Sequence, residues 1–389
     1  MINKGKRTAA EGGAKKGGLL RRLVLVLAVL GAVLAVSALT SMEGGRYLDA
    51  LRRWVVYGDA QATRDVFSYA ADPGNRYGRL GEGLLVVGSN AVRLLQNDGT
   101  VAFELSPLGM EHPQLSVGGR QAAVCDVGGD TLHLFDQSGL RRPLRADRGR
   151  CYYTARLNGG GYLAVTEQKS GYKARVSVYD SGGAMVFYFD SYDSYISDAV
   201  VTEDCRYVAM VSLGSENGVF VSSLRVYDLE TTQLAGSGAI RDGLPLDLVN
   251  SRDRLIALCD KRLVIATLAG EVLLDRAYGG LYLHDYALTG GGFCALLLGR
   301  YQAGNVCTLT TYDLDGEEIA RLELTEEVLD MSAAGDYLAV LYGDSLVIYT
   351  RDLEEHARLE ETGYAGQVQM REDGTALLLS GTFAQRFIP

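Results

Sequence analysis

The chain has little proline, cysteine and tryptophan, and each scarcity excludes a class of protein. Six prolines beside 48 glycines in 389 residues exclude collagen, which needs glycine at every third position and abundant proline. Six cysteines are too few for a scaffold held together by disulfides. With 47% apolar and 22% charged residues, the composition is globular rather than disordered. What remains is a glycine-rich, turn-rich globular chain.

Basic charge is scarce overall but concentrated at one end. The formal net charge of −10 argues against a nucleic-acid partner, since nucleic-acid binders present a basic surface. Residues 1–22 nevertheless carry seven basic residues and one acidic residue, a net +6, which leaves −16 for the rest of the chain. This step in charge suggests that the two parts face different surroundings.

An uncharged apolar stretch separates the two parts. Residues 23–42 read LVLVLAVLGAVLAVSALTSM, and twenty helical residues at ~1.5 Å each span the ~30 Å core of a membrane. Because basic flanks stay in the cytoplasm, we expect a cytoplasmic tail at 1–22, a signal-anchor helix at 23–42, a juxtamembrane linker at 43–64 and an extracytoplasmic domain at 65–389. The small residues at 36–38 leave a cleaved signal peptide as the alternative, with the same domain outside.

One short unit recurs through the rest of the chain. Its signature is an apolar run after a glycine- or charge-rich turn, as in YLAVT (162–166) and YLAVL (337–341). Aligned, the runs share one column in which six of eight residues are alanine: Val86, Ala123, Ala164, Ala209, Ala257, Ala295, Ala339 and Leu378. The column spacings are 37, 41, 45, 48, 38, 44 and 39 residues. This period is typical of four-stranded propeller blades.

The sequence around each run predicts the other strands of a blade. Alternating strands such as RVSVYD (175–180) follow the runs and end in tight turns such as Asp313–Gly316. We therefore predict an all-β protein, an eight-bladed β-propeller, with seven blades as the second choice. The last unit lacks its outer strand, and DVFSYA (65–70) is positioned to supply it and close the ring. The alanines are expected where neighbouring blades approach face to face.

These runs and turns resemble the bacterial YVTN and quinoprotein-like propellers, which are relatives of WD-repeat proteins. The order of basic tail, single span and eight-unit propeller resembles a family of membrane-anchored propellers of unknown function from Gram-positive bacteria. The Trp-Asp dipeptide of WD repeats and the tryptophan docking motifs of quinoprotein enzymes are absent. The resemblance therefore implies a fold and no cofactor.

An aspartate column is the first candidate site. Four aspartates begin the innermost strands of successive units, where they could line the central channel and bind a cation or basic peptide: Asp198, Asp247, Asp285 and Asp330. The favoured alternative is that each carboxylate accepts hydrogen bonds from backbone amides and fixes the blade register.

Long loops between second and third strands form the second candidate site. The longest are 167–173, 214–222 and 299–305, and they share a propeller face with the tyrosine-rich connection 190–197. Tyrosine gives a large contact area at low entropic cost. The candidate binding residues are Tyr172, Lys173, Tyr192, Tyr195, Glu216, Asn217 and Tyr301.

Other signals predict no chemistry. The segment Asp313–Glu317 begins like a calcium loop but lacks the downstream glutamate, and the four histidines show no metal-ligand spacing. No catalytic residue and no metal site are predicted. Cys294 and Cys307 fall in strands expected to pair, which leaves one disulfide conceivable.

The sequence favours a non-enzymatic scaffold tethered to the cell membrane through residues 23–42 that recognises a protein, peptide or envelope component. The alternative is a propeller lyase or hydrolase acting on cell-surface polysaccharide. An enzyme should gather carboxylates, histidines or metal ligands at one channel mouth. A binding module should instead show an aromatic or apolar patch without strongly perturbed titrating groups.

Overall fold

The structure is a computed structural model that describes residues 62–96 and 98–389. The predicted tail at 1–22, the predicted span at 23–42 and all but the end of the linker at 43–64 lie outside the described residues. Within the described residues there is no helix with the length and apolar character needed to cross a membrane. This part of the chain is built from strands and turns.

The described residues form 32 strands in eight four-stranded antiparallel sheets. The first half of the chain contributes β1 (Ala62–Ser68), β2 (Arg76–Leu80), β3 (Gly83–Val87), β4 (Val92–Leu95), β5 (Val101–Leu105), β6 (Pro113–Gly118), β7 (Gln121–Asp126), β8 (Thr131–Asp136), β9 (Gly139–Arg145), β10 (Tyr152–Leu157), β11 (Leu163–Glu167), β12 (Ala174–Tyr179), β13 (Met185–Ser191), β14 (Tyr195–Val201), β15 (Tyr207–Glu216) and β16 (Val219–Asp228). The second half contributes β17 (Leu234–Ile240), β18 (Pro245–Ser251), β19 (Arg254–Cys259), β20 (Arg262–Thr267), β21 (Val272–Ala277), β22 (Tyr282–Ala287), β23 (Phe293–Gly299), β24 (Cys307–Asp313), β25 (Glu318–Leu324), β26 (Val328–Ala334), β27 (Tyr337–Tyr342), β28 (Ser345–Thr350), β29 (Glu355–Glu360), β30 (Gln367–Met370), β31 (Ala376–Leu379) and β32 (Phe383–Ile388).

The prediction of eight blades rather than seven is confirmed. Blades 1 to 7 each take four consecutive strands, from β2–β5 to β26–β29, and their first strands contact one another around the centre. Blade 8 takes β30, β31 and β32 from the end of the chain and β1 from its beginning. The predicted closing strand is thus present, at Ala62–Ser68 rather than 65–70, and pairs with β32 from Ala62 opposite Ile388 to Ser68 opposite Phe383.

Hydrogen-bonded turns end the strands as the glycine and aspartate content predicts. At the end of β24 the Asp313 carboxylate accepts hydrogen bonds from the backbone N–H groups of Asp315 and Glu317, both at 2.9 Å. Gly316 has a φ of 89°, a conformation that suits glycine. The calcium-like segment is therefore a hairpin turn whose first carboxylate is occupied by backbone donors.

The core lies between neighbouring blades, and the alanine column lies within it. Every residue of that column is on the second strand of its blade and is at most 4% exposed. Ala209 of blade 4 and Ala257 of blade 5 belong to the same buried cluster, together with Val211 and Leu255. A small side chain lets the faces of twisted blades approach closely, which explains the recurrence of alanine.

The thiols within the described residues are free, including Cys294 and Cys307. The strands that contain these two cysteines do pair, but the register places Cys294 opposite Tyr312 and Cys307 opposite Gly299. The conceivable disulfide is therefore not formed, because the two thiols lie at opposite ends of the strand pair.

The alternating strand directions give the propeller two distinct faces. The upper face carries the loops between second and third strands and the connections from blade to blade, while the lower face carries the other turns. Since β1 is an outer strand that leads into the blade 8 to blade 1 connection, the chain enters the propeller at the lower face, at Ala62.

Candidate functional site

Two predicted tyrosines form a tilted aromatic pair on the upper face at blade 3. The rings of Tyr172 and Tyr192 are 4.2 Å apart, and the Tyr192 hydroxyl donates a hydrogen bond of 2.7 Å to the Tyr172 hydroxyl. The Lys169 ammonium lies 4.3 Å from the centre of the Tyr172 ring, a cation–π contact. Tyr192 is still 68% exposed, so the pair offers an aromatic surface to solvent.

An ion-pair network fixes the base of this pair. The Asp190 carboxylate accepts hydrogen bonds from Lys169 at 2.6 Å and from Arg175 at 2.7 and 2.9 Å. The hydrogen bond from Arg175, followed by that from Lys169, holds the pKa of Asp190 below its ordinary value. Lys169 therefore bridges Asp190 and Tyr172, which restricts the tyrosine before any partner arrives.

Tyr195, at the start of blade 4, lies against Lys173, which follows Tyr172 in blade 3. The Lys173 ammonium is 5.0 Å from the Tyr195 ring centre and 3.5 Å from its hydroxyl oxygen. Tyr195 is 53% exposed and opens β14, opposite Leu213 of β15. The two predicted residues are thus brought together.

A long hairpin extends the surface. β15 and β16 pair continuously from Tyr207 opposite Asp228 to Glu216 opposite Val219, beyond the reach of their neighbours in the sheet. Asn217 and Gly218 have φ values of 52° and 79°, as a two-residue type I′ turn requires. Glu216 and Asn217 were predicted as binding residues. In the structure their backbones form part of the hairpin turn.

The apolar residues after this turn are more exposed than the sequence suggested. Val219 is 66% exposed and Phe220 is 70% exposed. On the other strand, Gly214 lies against Ser194, because a β-carbon at Gly214 would be 3.5 Å from that of Ser194. The hairpin and the tyrosine-bearing connection are therefore neighbours. The blade 3–4 surface is defined here as the set Tyr172, Tyr192, Tyr195, Val219 and Phe220.

Tyr301 is not part of this surface. It lies on the loop between β23 and β24 of blade 6, three blades further along the ring. Its backbone carbonyl accepts a hydrogen bond of 2.8 Å from His284 Nε2, and its side chain is 68% exposed. The predicted tyrosine set thus divides into two regions of the upper face.

Sequence reasoning missed Lys169, Val219 and Phe220. The signal for the two apolar residues was the Asn-Gly pair, which fixes the turn and so places the following residues at its tip. Lys169 had no comparable signal, because its importance depends on Asp190, a partner 21 residues away.

The aspartate column lies on the innermost strands of blades 4 to 7, where one arginine bridges two of its members. Asp198 of blade 4 accepts hydrogen bonds from Arg156 of blade 3 at 3.0 and 2.6 Å, and Arg156 also contacts Asp247 of blade 5. Burial lowers the pKa of Arg156, but the two carboxylates more than offset this and hold it above its ordinary value. These three residues link three successive blades.

The other two aspartates accept hydrogen bonds from backbone groups, Asp285 within its own strand and Asp330 across a blade boundary. Asp285 accepts the N–H of Tyr286 at 2.7 Å, and Asp330 accepts the N–H of Val368 in blade 8 at 2.7 Å. Burial, reinforced by the charge of Asp330, raises the pKa of Asp285 to about 7, and burial raises the pKa of Asp330 to about 6.

All four aspartates follow a register irregularity in the first strand of their blade. Their recurrence therefore coincides with a recurring backbone feature. Within the described residues, no group of three or more histidine, cysteine, aspartate or glutamate side chains is arranged to hold a metal ion.

Comparison with known proteins identifies the fold and no activity. A family model described as a family of unknown function, DUF5711, matches residues 60–360. None of the curated proteins matches the sequence.

Solved structures share the architecture at low sequence identity. The C-terminal WD40 domain of Sif2 is similar at 13% identity with a TM-score of 0.61, over 85% of this chain and 100% of that one. The computationally designed Ika8 protein is similar at 10% identity with a TM-score of 0.59, over 83% of this chain and 100% of that one. A eukaryotic initiation factor is similar at 13% identity with a TM-score of 0.52, over 83% and 82%. At these identities the likeness concerns the fold alone, a WD40-like propeller.

Proposed function

Because the chain belongs to the DUF5711 family, whose function is unknown, we propose a function from the geometry of the propeller itself. The protein is a non-enzymatic scaffold that binds a partner protein through the blade 3–4 surface. It is tethered to the cell membrane through residues 23–42, with the propeller outside the cytoplasm. The WD40-like propeller fold is consistent with a protein-binding scaffold.

The exposure of the blade 3–4 surface is the observation that carries this proposal. Tyr192, Val219 and Phe220 are each about two-thirds exposed, although burying such side chains is favourable. Exposed apolar and aromatic residues grouped on one face are typical of protein interaction sites. The surrounding tyrosine, serine, glycine and asparagine residues also resemble the composition of antibody paratopes.

The position of the surface fits a tether. The chain enters the propeller at the lower face, whereas the blade 3–4 surface lies on the upper face. The point at which the chain enters the propeller is therefore on the face opposite to this surface.

The state of the channel carboxylates favours a scaffold over a polysaccharide-cleaving enzyme. Arg156 pairs with Asp198 and Asp247, while Asp285 and Asp330 accept backbone hydrogen bonds. All four carboxylates are engaged within the protein, and those of Asp198, Asp247 and Asp330 join neighbouring blades. A hydrolase or lyase would need at least one of them directed towards a substrate.

Cross-linking on intact cells tests both the proposed blade 3–4 binding surface and the proposed extracytoplasmic location of the propeller. A membrane-impermeant, amine-reactive cross-linker can reach Lys173, which is exposed beside Tyr195. We expect one discrete adduct with the wild-type chain. The double variant Tyr192→Ala/Phe220→Ser should reduce it at least fivefold, because the aromatic contact area is lost.

The matched control is Val272→Ser, which changes an exposed apolar residue on the outer strand β21 and should leave the adduct unchanged. An equal adduct in the double variant would contradict the binding surface. An adduct that forms only after the cells are lysed would contradict the extracytoplasmic location.

A further inference from the structure

A cavity on the upper face of blade 6 is separate from the blade 3–4 surface. Its volume is about 550 Å³, within the range of ligand-binding pockets. It is formed by the connection before β22, the ends of β23 and β24, and the long loop that joins these two strands. The residues that line it include Leu281, Leu298, Arg300, Tyr301, Val306 and Glu323.

Apolar side chains form one side of this blade 6 pocket and remain open to solvent. Val306 is 64% exposed, Tyr301 is 68% exposed and Leu281 is 38% exposed. The loop that presents Tyr301 and Val306 is held by the hydrogen bond from His284 Nε2 to the Tyr301 carbonyl oxygen. The pocket therefore offers a preformed apolar wall large enough for one side chain of a ligand.

A guanidinium group without a carboxylate partner lies in the same pocket. Among the described side chains, no carboxylate lies within 4 Å of the Arg300 guanidinium, whereas most other arginines of the propeller are in ion pairs. Arg300 is exposed. Its charge and planar donors complement a carboxylate, which they can bind with two parallel hydrogen bonds.

Glu323 and Thr308 form a hydrogen-bonded pair in the pocket. Glu323 allows the pocket to discriminate between a peptide and a fatty acid, which both end in a carboxylate. The Glu323 carboxylate accepts a hydrogen bond of 2.9 Å from the Thr308 hydroxyl and keeps acceptor capacity for another donor. A peptide offers backbone N–H groups to such an acceptor, whereas a fatty acid has no donor to offer. The combination of apolar wall, cation and acceptor therefore favours a peptide end.

We infer that the blade 6 pocket binds the free C-terminus of a peptide whose last residue is apolar. Arg300 pairs with the terminal carboxylate, and the last side chain packs against Leu281, Tyr301 and Val306. Glu323 accepts a backbone N–H of the peptide. Capture of a terminal carboxylate is an established mode of peptide recognition. The site is independent of the proposed scaffold function, since it uses none of the residues of the blade 3–4 surface.

Selection from paired peptide libraries tests this inference. Random hexapeptides, one library with a free C-terminal carboxylate and one with a C-terminal amide, are incubated with the full chain in lipid nanodiscs. Bound peptides are identified by mass spectrometry. We expect peptides ending in Leu, Ile, Val or Phe to be enriched from the carboxylate library and not from the amide library.

Titration of the most enriched peptide assigns the binding to named residues. The amide form and the variant Arg300→Gln should each weaken binding at least tenfold, whereas Arg300→Lys should retain part of the affinity. Val306→Ser should weaken binding, and Val101→Ser, which changes a valine that is 53% exposed on the outer strand β5 of blade 1, should not.

Three outcomes would overturn the inference. They are equal enrichment from both libraries, unchanged affinity in Arg300→Gln, and an equal loss in Val101→Ser and Val306→Ser. Displacement of the peptide by decanoate, with tighter binding of decanoate itself, would assign the pocket to fatty acids instead.

Discussion

At the residue scale, the channel shows how charged groups are kept inside a closed ring. Asp198 is 3% exposed, and a buried carboxylate is unfavourable unless it is paired. Arg156 supplies that pairing and extends it to Asp247 in the next blade. The cost of burial is thereby offset by contacts between blades, which also specify how the blades are arranged.

Asp285 and Asp330 give the first prediction, a stability that depends on pH. Burial raises their pKa values to about 7 and about 6, above the 3.8 of an unperturbed aspartate. Between about pH 4 and pH 7 the folded state therefore binds more protons than the unfolded state, so the contribution of these groups to stability falls as pH rises. The double variant Asp285→Asn/Asp330→Asn removes this effect.

We expect this variant to melt at least about 3 °C above the wild type at pH 8, with little difference at pH 5, where the wild-type carboxyls are protonated. Thermal unfolding followed by circular dichroism measures both values. Asp352→Asn, on an exposed turn, is the control and should change neither. The same gain at both pH values would exclude the titration of these aspartates as its cause.

The aspartate positions could be predicted from the sequence, but their partners could not. Asp198, Asp247, Asp285 and Asp330 recur at similar distances before the alanine column, which places them on the innermost strands. Arg156 has no counterpart in that pattern, and it reaches Asp247 across 91 residues of sequence. A contact of this kind depends on the closed ring and not on a local motif.

At the element scale, the sequence was informative where local rules decide the structure. Period-2 alternation and Gly/Asp turns placed the strands. The expected long loop at 214–222 was wrong, because β15 and β16 continue through it and leave only a two-residue turn at Asn217–Gly218. The exposure of Val219 and Phe220 could not be deduced in this way. It follows from the length of β15 and β16 relative to their neighbours, which is a property of the folded sheet.

The closing strand gives a prediction at this scale. Phe67 of β1 is completely buried and packs in a cluster with Leu84 of blade 1 and Leu377 of blade 8. Phe67→Ala should lower the free energy of unfolding by about 3–5 kcal/mol. Val66 is 55% exposed on the same strand, so Val66→Ala should cost less than about 1 kcal/mol. Denaturant unfolding of both variants checks this, and equal effects would contradict closure of the ring through β1.

At the scale of the whole molecule, the propeller separates where the chain enters from where a partner is proposed to bind. The chain enters at Ala62 on the lower face, while the blade 3–4 surface and the blade 6 pocket lie on the upper face. The number of blades and the closure of the ring could be predicted from the repeat. The grouping of Tyr172, Tyr192 and Tyr195 without Tyr301 required the positions of the blades around the ring.

A photo-cross-linking scan of the two faces in living cells tests the central claim most directly. A photoreactive residue is placed at Tyr192 or Phe220 on the upper face, and at Glu230 or Asp253, both exposed, on the lower face. The scaffold proposal predicts that the same partner is captured from both upper positions and from neither lower position. Capture from the lower positions alone, or from none of the four, would contradict it.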